Sequence, residues 1–315
     1  MRANNNQIGM IFIVIGMLIY SFHDLAIKII AADTTIFQLF ITRAIVGIMV
    51  TLSVLKFSNY KIRVIPIYPK LTLIRCVLMH FGFFIFFISL EKLSLSTVTA
   101  LFFAAPFFIT ILSAIILSER IGLVRILIIV LGFTGVFLIV KPFKESVFSF
   151  FMLAPLFTAF CYAVAMVISK YTRENENAFL QAFQQYSVSL LLSIVTYLII
   201  LVFPLENLDK EEWRFIFGSI QLNDFYILIS IALLSIFGTL GMTSLIHAYQ
   251  VGSPITNGPT EYVLLILAII NGYFFFGNIP DYLSLSGIFI IIVGGWGLFF
   301  REHQRNKIDE KVSPT

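Results

Sequence analysis

The chain has 315 residues, of which 59% are hydrophobic and 12% charged; it carries 35 Phe and a formal net charge of +4. A soluble domain has about 45–50% apolar and about 25% charged residues, so this composition excludes water as the solvent around most of the surface. Two Cys and four His exclude a disulfide framework and leave little from which to build a metal cluster.

Apolar runs of about 18 residues or more read as membrane-spanning helices. Ten are expected, over 7–30, 35–56, 71–90, 95–117, 122–140, 148–170, 178–203, 225–248, 254–276 and 282–300. The chain is therefore expected to be an all-α membrane protein with ten transmembrane helices. The first span is too long for a signal peptide, holds His23, Asp24 and Lys28, and lacks a small-residue cleavage site after it. Span 2 carries Arg43 about five residues from its start, and span 3 carries Cys76 and then His80 in a phenylalanine-rich run. Arg75, Glu119 and Arg120 are expected near the cytoplasmic surface. Span 4 contains Pro106, span 5 contains Gly132 and Gly135, and span 6 contains Cys161. Gln184, Gln185 and Tyr186 enter span 7 and are expected to line the outer vestibule. The hydrophilic stretch Pro204–Asp224, with Trp213, reads as a short amphipathic surface helix. Span 8 ends at His247, span 9 opens with S-P-I-T-N-G-P-T-E-Y (Ser253–Tyr262), and span 10 carries Gly287, Gly294 and Gly295. The tail from Arg301 is polar and expected to fray.

The spans form one unit written twice. At an offset of 159 positions Ser94 meets Ser253, Thr97 meets Thr256, Glu119 meets Asn278 and Gly135 meets Gly294. Leading helices match more sparsely: Tyr20 and Lys28 meet Tyr162 and Lys170 at an offset of 142. The boundaries expected are 1–144 and 145–303 for the two halves and 304–315 for a cytoplasmic tail. Five helices is an odd number, so the second copy enters the membrane with opposite orientation. Inverted repeats of this kind are the scaffold of alternating-access transporters.

Lys and Arg set the orientation. With the N-terminus inside, the inner segments hold Arg2, the group from Lys56 to Arg75, Arg120, Arg125, Lys170, Arg173 and the basic C-terminal tail. The outer segments hold far fewer, so the positive-inside rule places both termini in the cytoplasm. The basic balance is then a matter of topology, and no nucleic-acid partner is implied. The expected setting is a membrane that the chain crosses many times.

Ionisable groups inside a membrane cost about 2.5–3.5 kcal/mol on insertion scales and face a wet cavity or a partner. Glu261 leads the candidates: Gly258 and Pro259 break the helical ladder just before it, and irregular backbone at membrane depth needs protein or a water-filled cavity around it. Asn257, Thr260, Glu261 and Tyr262 therefore read as substrate contacts at one depth, with Ser253 as the helix cap and Pro254 at the first helical position. Two readings of Asp24 stand: a local ion pair with Lys28 four residues on, or a cation or proton site shared in role with Glu261. Arg43 is placed to clamp a carboxylate or to pair with Asp24 or Glu91. His80 reads as a hydrogen-bonded packing residue or a proton carrier, and Gln184 as a polar lining group. Phe102, Phe103, Phe107 and Phe108 read as packing or lipid-facing, with a cation–π wall as the alternative for a few.

These residues bear a resemblance. The chain resembles the drug/metabolite transporter superfamily, in its ten-helix EamA type, most specifically from the end of span 3 through span 5. Within it the chain is similar to bacterial S-adenosylmethionine uptake transporters, through Asp24 and Lys28, Thr42–Arg43, Leu73–Gly82, Pro259–Tyr262 and Ile279–Asp281. It departs at Asn278, where the second repeat often has Glu, and at Thr260–Glu261, where relatives carry a basic residue before an aromatic one. The resemblance implies a secondary transporter of a small polar metabolite, working by alternating access, with S-adenosylmethionine as the first candidate and an amino-acid or drug exporter as the rival. A counter-substrate or coupling ion would supply the driving force. No P-loop, nucleophile elbow, H-E-x-x-H or dinucleotide fingerprint occurs in the sequence, so no enzyme, cofactor or metal site is expected. A lipid flippase or membrane enzyme is the reading from another class.

Overall fold

The computed structural model describes residues 2–30, 34–60, 66–93, 98, 101–119, 122–140, 150–202, 215, 218, 225–277 and 281–312. Among them lie eleven α-helices and no strand: α1 Arg2–Ile30, α2 Ile36–Phe57, α3 Pro69–Lys92, α4 Ala105–Ile116, α5 Leu123–Val140, α6 Leu153–Tyr171, α7 Ala178–Val202, α8 Phe225–Val251, α9 Pro254–Thr260, α10 Val263–Phe276 and α11 Tyr282–Val312. Seven stretches are long and apolar enough to cross a membrane, α9 and α10 counting as one of them, while α4, α5 and the apolar part of α11 are shorter apolar helices. The outer surface is apolar: Phe274 is 75% and Trp296 66% exposed. Only lipid makes such a surface stable, and the chain is a multi-pass integral membrane protein.

Local chemistry sets the helix ends. The Thr35 hydroxyl accepts from Gln38 N–H at 3.3 Å to cap α2, Asn177 Oδ1 accepts from Leu180 N–H at 2.8 Å to cap α7, and Asp281 Oδ1 accepts from Ser284 N–H at 3.0 Å to cap α11. At the C-terminus of α8, Lys170 Nζ donates to the carbonyls of Gln250, Val251 and Gly252 at 2.9, 3.0 and 2.6 Å, a cation on the negative end of a helix. Two expectations change here. The tail does not fray at Arg301: α11 continues to Val312, through Arg, Glu, Gln and Lys, which are good helix formers. The fourth span does not run unbroken from residue 95, because Phe103–Ala104 form a turn before α4.

Packing follows a two-fold exchange of halves. If α1 to α5 correspond to α6, α7, α8, α9–α10 and α11, the principal pairs map onto one another. The α1·α8 pair becomes α6·α3, α2·α8 becomes α7·α3, α4·α6 becomes α9–α10 on α1, and α2·α7 and α5·α11 map onto themselves. Helices thus pack mainly across the halves. Small residues allow the closest approach: a Cβ on Gly287 would lie 2.6 Å from the carbonyl oxygen of Gly135, and one on Gly135 would lie 2.9 Å from that of Gly287.

Candidate functional site

The break in the helix of each half falls at the same place. In the second half, α9 ends at Thr260 and the ladder tightens: Glu261 N–H donates to Gly258 O at 3.1 Å, Tyr262 N–H to Pro259 O at 3.4 Å, and Leu264 N–H to Glu261 O at 3.0 Å. All three bonds span three residues, the tighter 3-10 pattern, and Pro259 separately removes the N–H that would have bonded toward Ile255. In the first half, Ala104 N–H donates to Leu101 O at 3.1 Å and Phe107 N–H to Ala104 O at 3.0 Å. At the offset of 159, Phe102 stands where Glu261 stands and Phe103 where Tyr262 stands. The equivalent pair Phe103 and Tyr262 touch: their rings lie 5.7 Å apart and the Tyr262 hydroxyl donates to Phe103 O at 3.5 Å. The local axis relating the halves therefore passes beside Glu261.

Glu261 is 2% exposed, and two phenols hold it. Tyr162, at the middle of α6, and Tyr249, near the end of α8, each donate to the same oxygen, Oε1, at 2.6 Å. Charge-assisted O–H···O⁻ bonds have this length. No hydrogen bond among the described residues reaches Oε2, the oxygen left for another partner. Aromatic faces complete the surroundings: Phe102 lies 5.7 Å from Tyr162 between ring centroids and also meets Phe83 and Phe86. Tyr262 packs its ring on Gly132 of α5. A buried carboxylate among aromatic side chains has the chemistry to hold a cation, by charge and by the ring quadrupole.

The other expected residues divide. Asn257 turns its amide to scaffolding: Nδ2 donates to Ala248 O at 2.6 Å, and the group sits between Gly9 and Gly252, while Oδ1 is buried without a partner. Thr260 donates to Thr256 O of its own helix at 3.2 Å. Ser253 occupies the cap position of α9 without capping it. Its hydroxyl donates instead to Glu119 Oε2 at 2.5 Å, and its N–H donates to Asn6 Oδ1 at 2.8 Å, because a carboxylate is the stronger acceptor within reach.

Arg43 is not among the groups that touch Glu261. It lies with His23 against Gly238 of α8, and His23 meets Tyr20 edge-on at 5.6 Å. His80 shares a hydrogen bond of 2.9 Å through Nδ1 with Ser189 and is enclosed by Phe40, Phe81 and Phe84, as a packing histidine would be. The side chains of Asp24 and Lys28, and Ser94, Thr97, Trp213 and Asn278, lie outside the described residues.

Two placements differ from expectation. The Arg75 side chain is enclosed rather than exposed: it is 2% exposed and among the largest fully buried side chains, because α7 covers it. Gln184 and Gln185, expected at the outer vestibule, pack against α3. They meet Arg75 and Cys76 near the start of α3, at the end of the bundle that the basic loops assign to the cytoplasm. Sequence reasoning also missed Tyr162 and Tyr249 as partners of Glu261. The signal available was a tyrosine in the middle of an apolar span, already matched to Tyr20 in the repeat.

The EamA-like transporter family profile matches the chain twice, over residues 7–141 and 149–300. An S-adenosylmethionine uptake transporter from Rickettsia bellii is 25% identical over 78% of this chain and 76% of its own length. A pseudopaline exporter from Pseudomonas aeruginosa is 24% identical over 66% and 67%, and an uncharacterized transporter from Helicobacter pylori is 25% identical over 93% and 94%. One crystal structure superposes with a TM-score of 0.72 at 16% identity, covering 94% of this chain and 96% of that one, a likeness of fold.

Proposed function

The chain belongs to the EamA-like transporter family, and on that premise we propose that it carries a small, positively charged or zwitterionic metabolite across the bacterial inner membrane by alternating access. S-adenosylmethionine is the first candidate. The two halves, 1–144 and 145–303, rock about the site where Phe103 meets Tyr262, with both termini in the cytoplasm. The observation that carries the substrate class is Glu261, a carboxylate 2% exposed, held at Oε1 by two phenols and with no hydrogen bond at Oε2 among the described residues. A sulfonium or ammonium group offsets that oxygen's negative charge; a neutral solute leaves the charge unbalanced and an anion is repelled. The Rickettsia relatives support uptake of S-adenosylmethionine. Export of a zwitterionic metabolite is the second reading, favoured by the pseudopaline exporter relative. Asp24 and Glu261 are the carboxyl groups proposed to carry a coupling ion or proton.

The test is uptake of labelled S-adenosylmethionine, with an amino-acid panel, into proteoliposomes at two pH values and with counterflow. Glu261→Gln keeps the size and removes the charge, so uptake falls at least about tenfold, the loss of one charge-assisted contact, while folded yield changes little. Equal losses of uptake and yield would show a structural carboxyl. The absence of any pH effect would remove the proton-coupling proposal, and the absence of transport of any panel member would remove the substrate class.

A further inference from the structure

A second buried polar cluster lies between α3, α7 and the α6–α7 turn. Arg75 Nη2 donates to Gln181 O at 3.2 Å and to Gln184 Oε1 at 2.9 Å. Gln185 Nε2 donates to Cys76 O at 3.1 Å, and Gln181 Nε2 donates to Thr172 Oγ1 at 2.9 Å. Glu176, 2% exposed, accepts through its carbonyl from Gln250 Nε2 at 2.8 Å. What these bonds leave over is specific. Buried and without a partner are two donors, Arg75 Nε and Gln184 Nε2, and four acceptors, both carboxylate oxygens of Glu176 and the amide oxygens of Gln181 and Gln185.

Leaving one buried polar group unsatisfied costs about 1–3 kcal/mol, more when it is charged. Gln181 links the two charged residues, its carbonyl accepting from Arg75 Nη2 at 3.2 Å and its Nε2 donating to Glu176 O at 3.4 Å, yet no hydrogen bond among the described residues joins the guanidinium to the carboxylate, and such a cluster is complete only with a further partner. Water supplies donors and acceptors alike but no charge. Beside the Thr72 and Ser169 hydroxyls, the leftover donors are on Arg75 and Gln184 and the leftover acceptors on Glu176 and on Gln181 and Gln185, one turn apart on α7. A carboxylate requires the first set and an ammonium group the second.

We propose that Arg75, Gln184, Glu176, Gln181 and Gln185 form a binding station for an α-amino-acid head group, its carboxylate on Arg75 and Gln184 and its ammonium on Glu176 and the two amide oxygens. This rests on the transport reading above and sharpens it. The carboxylate of a zwitterionic substrate is assigned to Arg75 rather than Arg43, and the station lies near the end of the bundle where Lys170 and Arg173 cap α8.

The experiment is calorimetric titration of the full-length protein in detergent with L-methionine, its methyl ester, which lacks the carboxylate, and 4-methylthiobutanoate, which lacks the amine. Wild type binds L-methionine at least about tenfold more tightly than either analogue, as the loss of one charged contact dictates. Glu176→Gln removes the preference over 4-methylthiobutanoate. Gln184→Glu keeps an acceptor for Arg75 and so preserves the fold, but it repels the ligand carboxylate: L-methionine weakens at least tenfold while the methyl ester does not. Failure of L-methionine to bind, or an equal effect of Gln184→Glu on both ligands, overturns the proposal. So does recovery of full uptake by the exchanged pair Arg75→Glu/Glu176→Arg, which would mark an internal ion pair. Titration reads the head group without transport: binding with this pattern but no S-adenosylmethionine uptake removes only the substrate reading, and uptake with no such pattern removes only the station.

Discussion

Tyr162 and Tyr249 donate to one and the same oxygen of Glu261 at 2.6 Å, and this sharing has a measurable signature. Replacing either tyrosine by phenylalanine keeps the ring and removes only the O–H. Hydrogen bonds to charged groups contribute about 1.5–3 kcal/mol, whereas interhelical side-chain bonds in membranes average about 0.6 and reach about 1.7. Each bond here is short and ends on a carboxylate that is 2% exposed, which places each single loss near the top of the membrane range, about 1.5 kcal/mol. Two donors on one oxygen weaken each other, so the first loss is cushioned by the phenol that remains. The second leaves Oε1 with neither water nor donor. The double variant therefore falls short of wild type by more than the sum of the singles, by about 0.5 kcal/mol or more, the lower end of coupling within one network. The assay is reversible unfolding of the purified protein by SDS titration in mixed micelles, with all four members of the cycle. Singles below about 0.5 kcal/mol, or a double equal to their sum within that margin, would refute the geometry proposed for the carboxylate.

Two further outcomes follow from packing and topology. Gly287→Ala drives a Cβ to 2.6 Å from the backbone oxygen of Gly135 and destabilises the protein by about 1–3 kcal/mol, while Gly295→Ala, with nothing within 4 Å, stays near wild type in the same unfolding assay; equal effects would refute the α5·α11 contact. Native Cys76 and Cys161 are buried, so a cysteine placed at Glu174 reacts with a membrane-impermeant maleimide only after the membrane is opened, and one placed at Tyr282 reacts in intact cells. The reverse pattern would invert the orientation derived from the basic loops.

The same residues show where reading the chain succeeds. Hydropathy and proline are local properties, so the apolar helices, the break around Pro259 and the oddity of an acid beside it at Glu261 were all legible in the order of residues. The repeat was legible for the same reason: small residues and turns recur where helices of the two halves must approach.

Pairing between helices is another matter. Tyr162 is 99 residues from Glu261, and Arg75 is 109 from Gln184. Nothing in the local chain says which polar groups will share one dry interface or which will be left without a partner. Arg75 has the look of a surface charge a few residues into a helix, and it is buried only because α7 lies over it. The sequence by itself determined that this protein lives in a membrane, where most of its apolar helices run and that the backbone is irregular near Pro259, because each depends on a few neighbouring side chains meeting lipid or losing an N–H. Tertiary structure alone decided that two phenols share one carboxylate oxygen and that a guanidinium and a carboxylate are enclosed without satisfying each other, because those facts arise from which helix faces are pressed together.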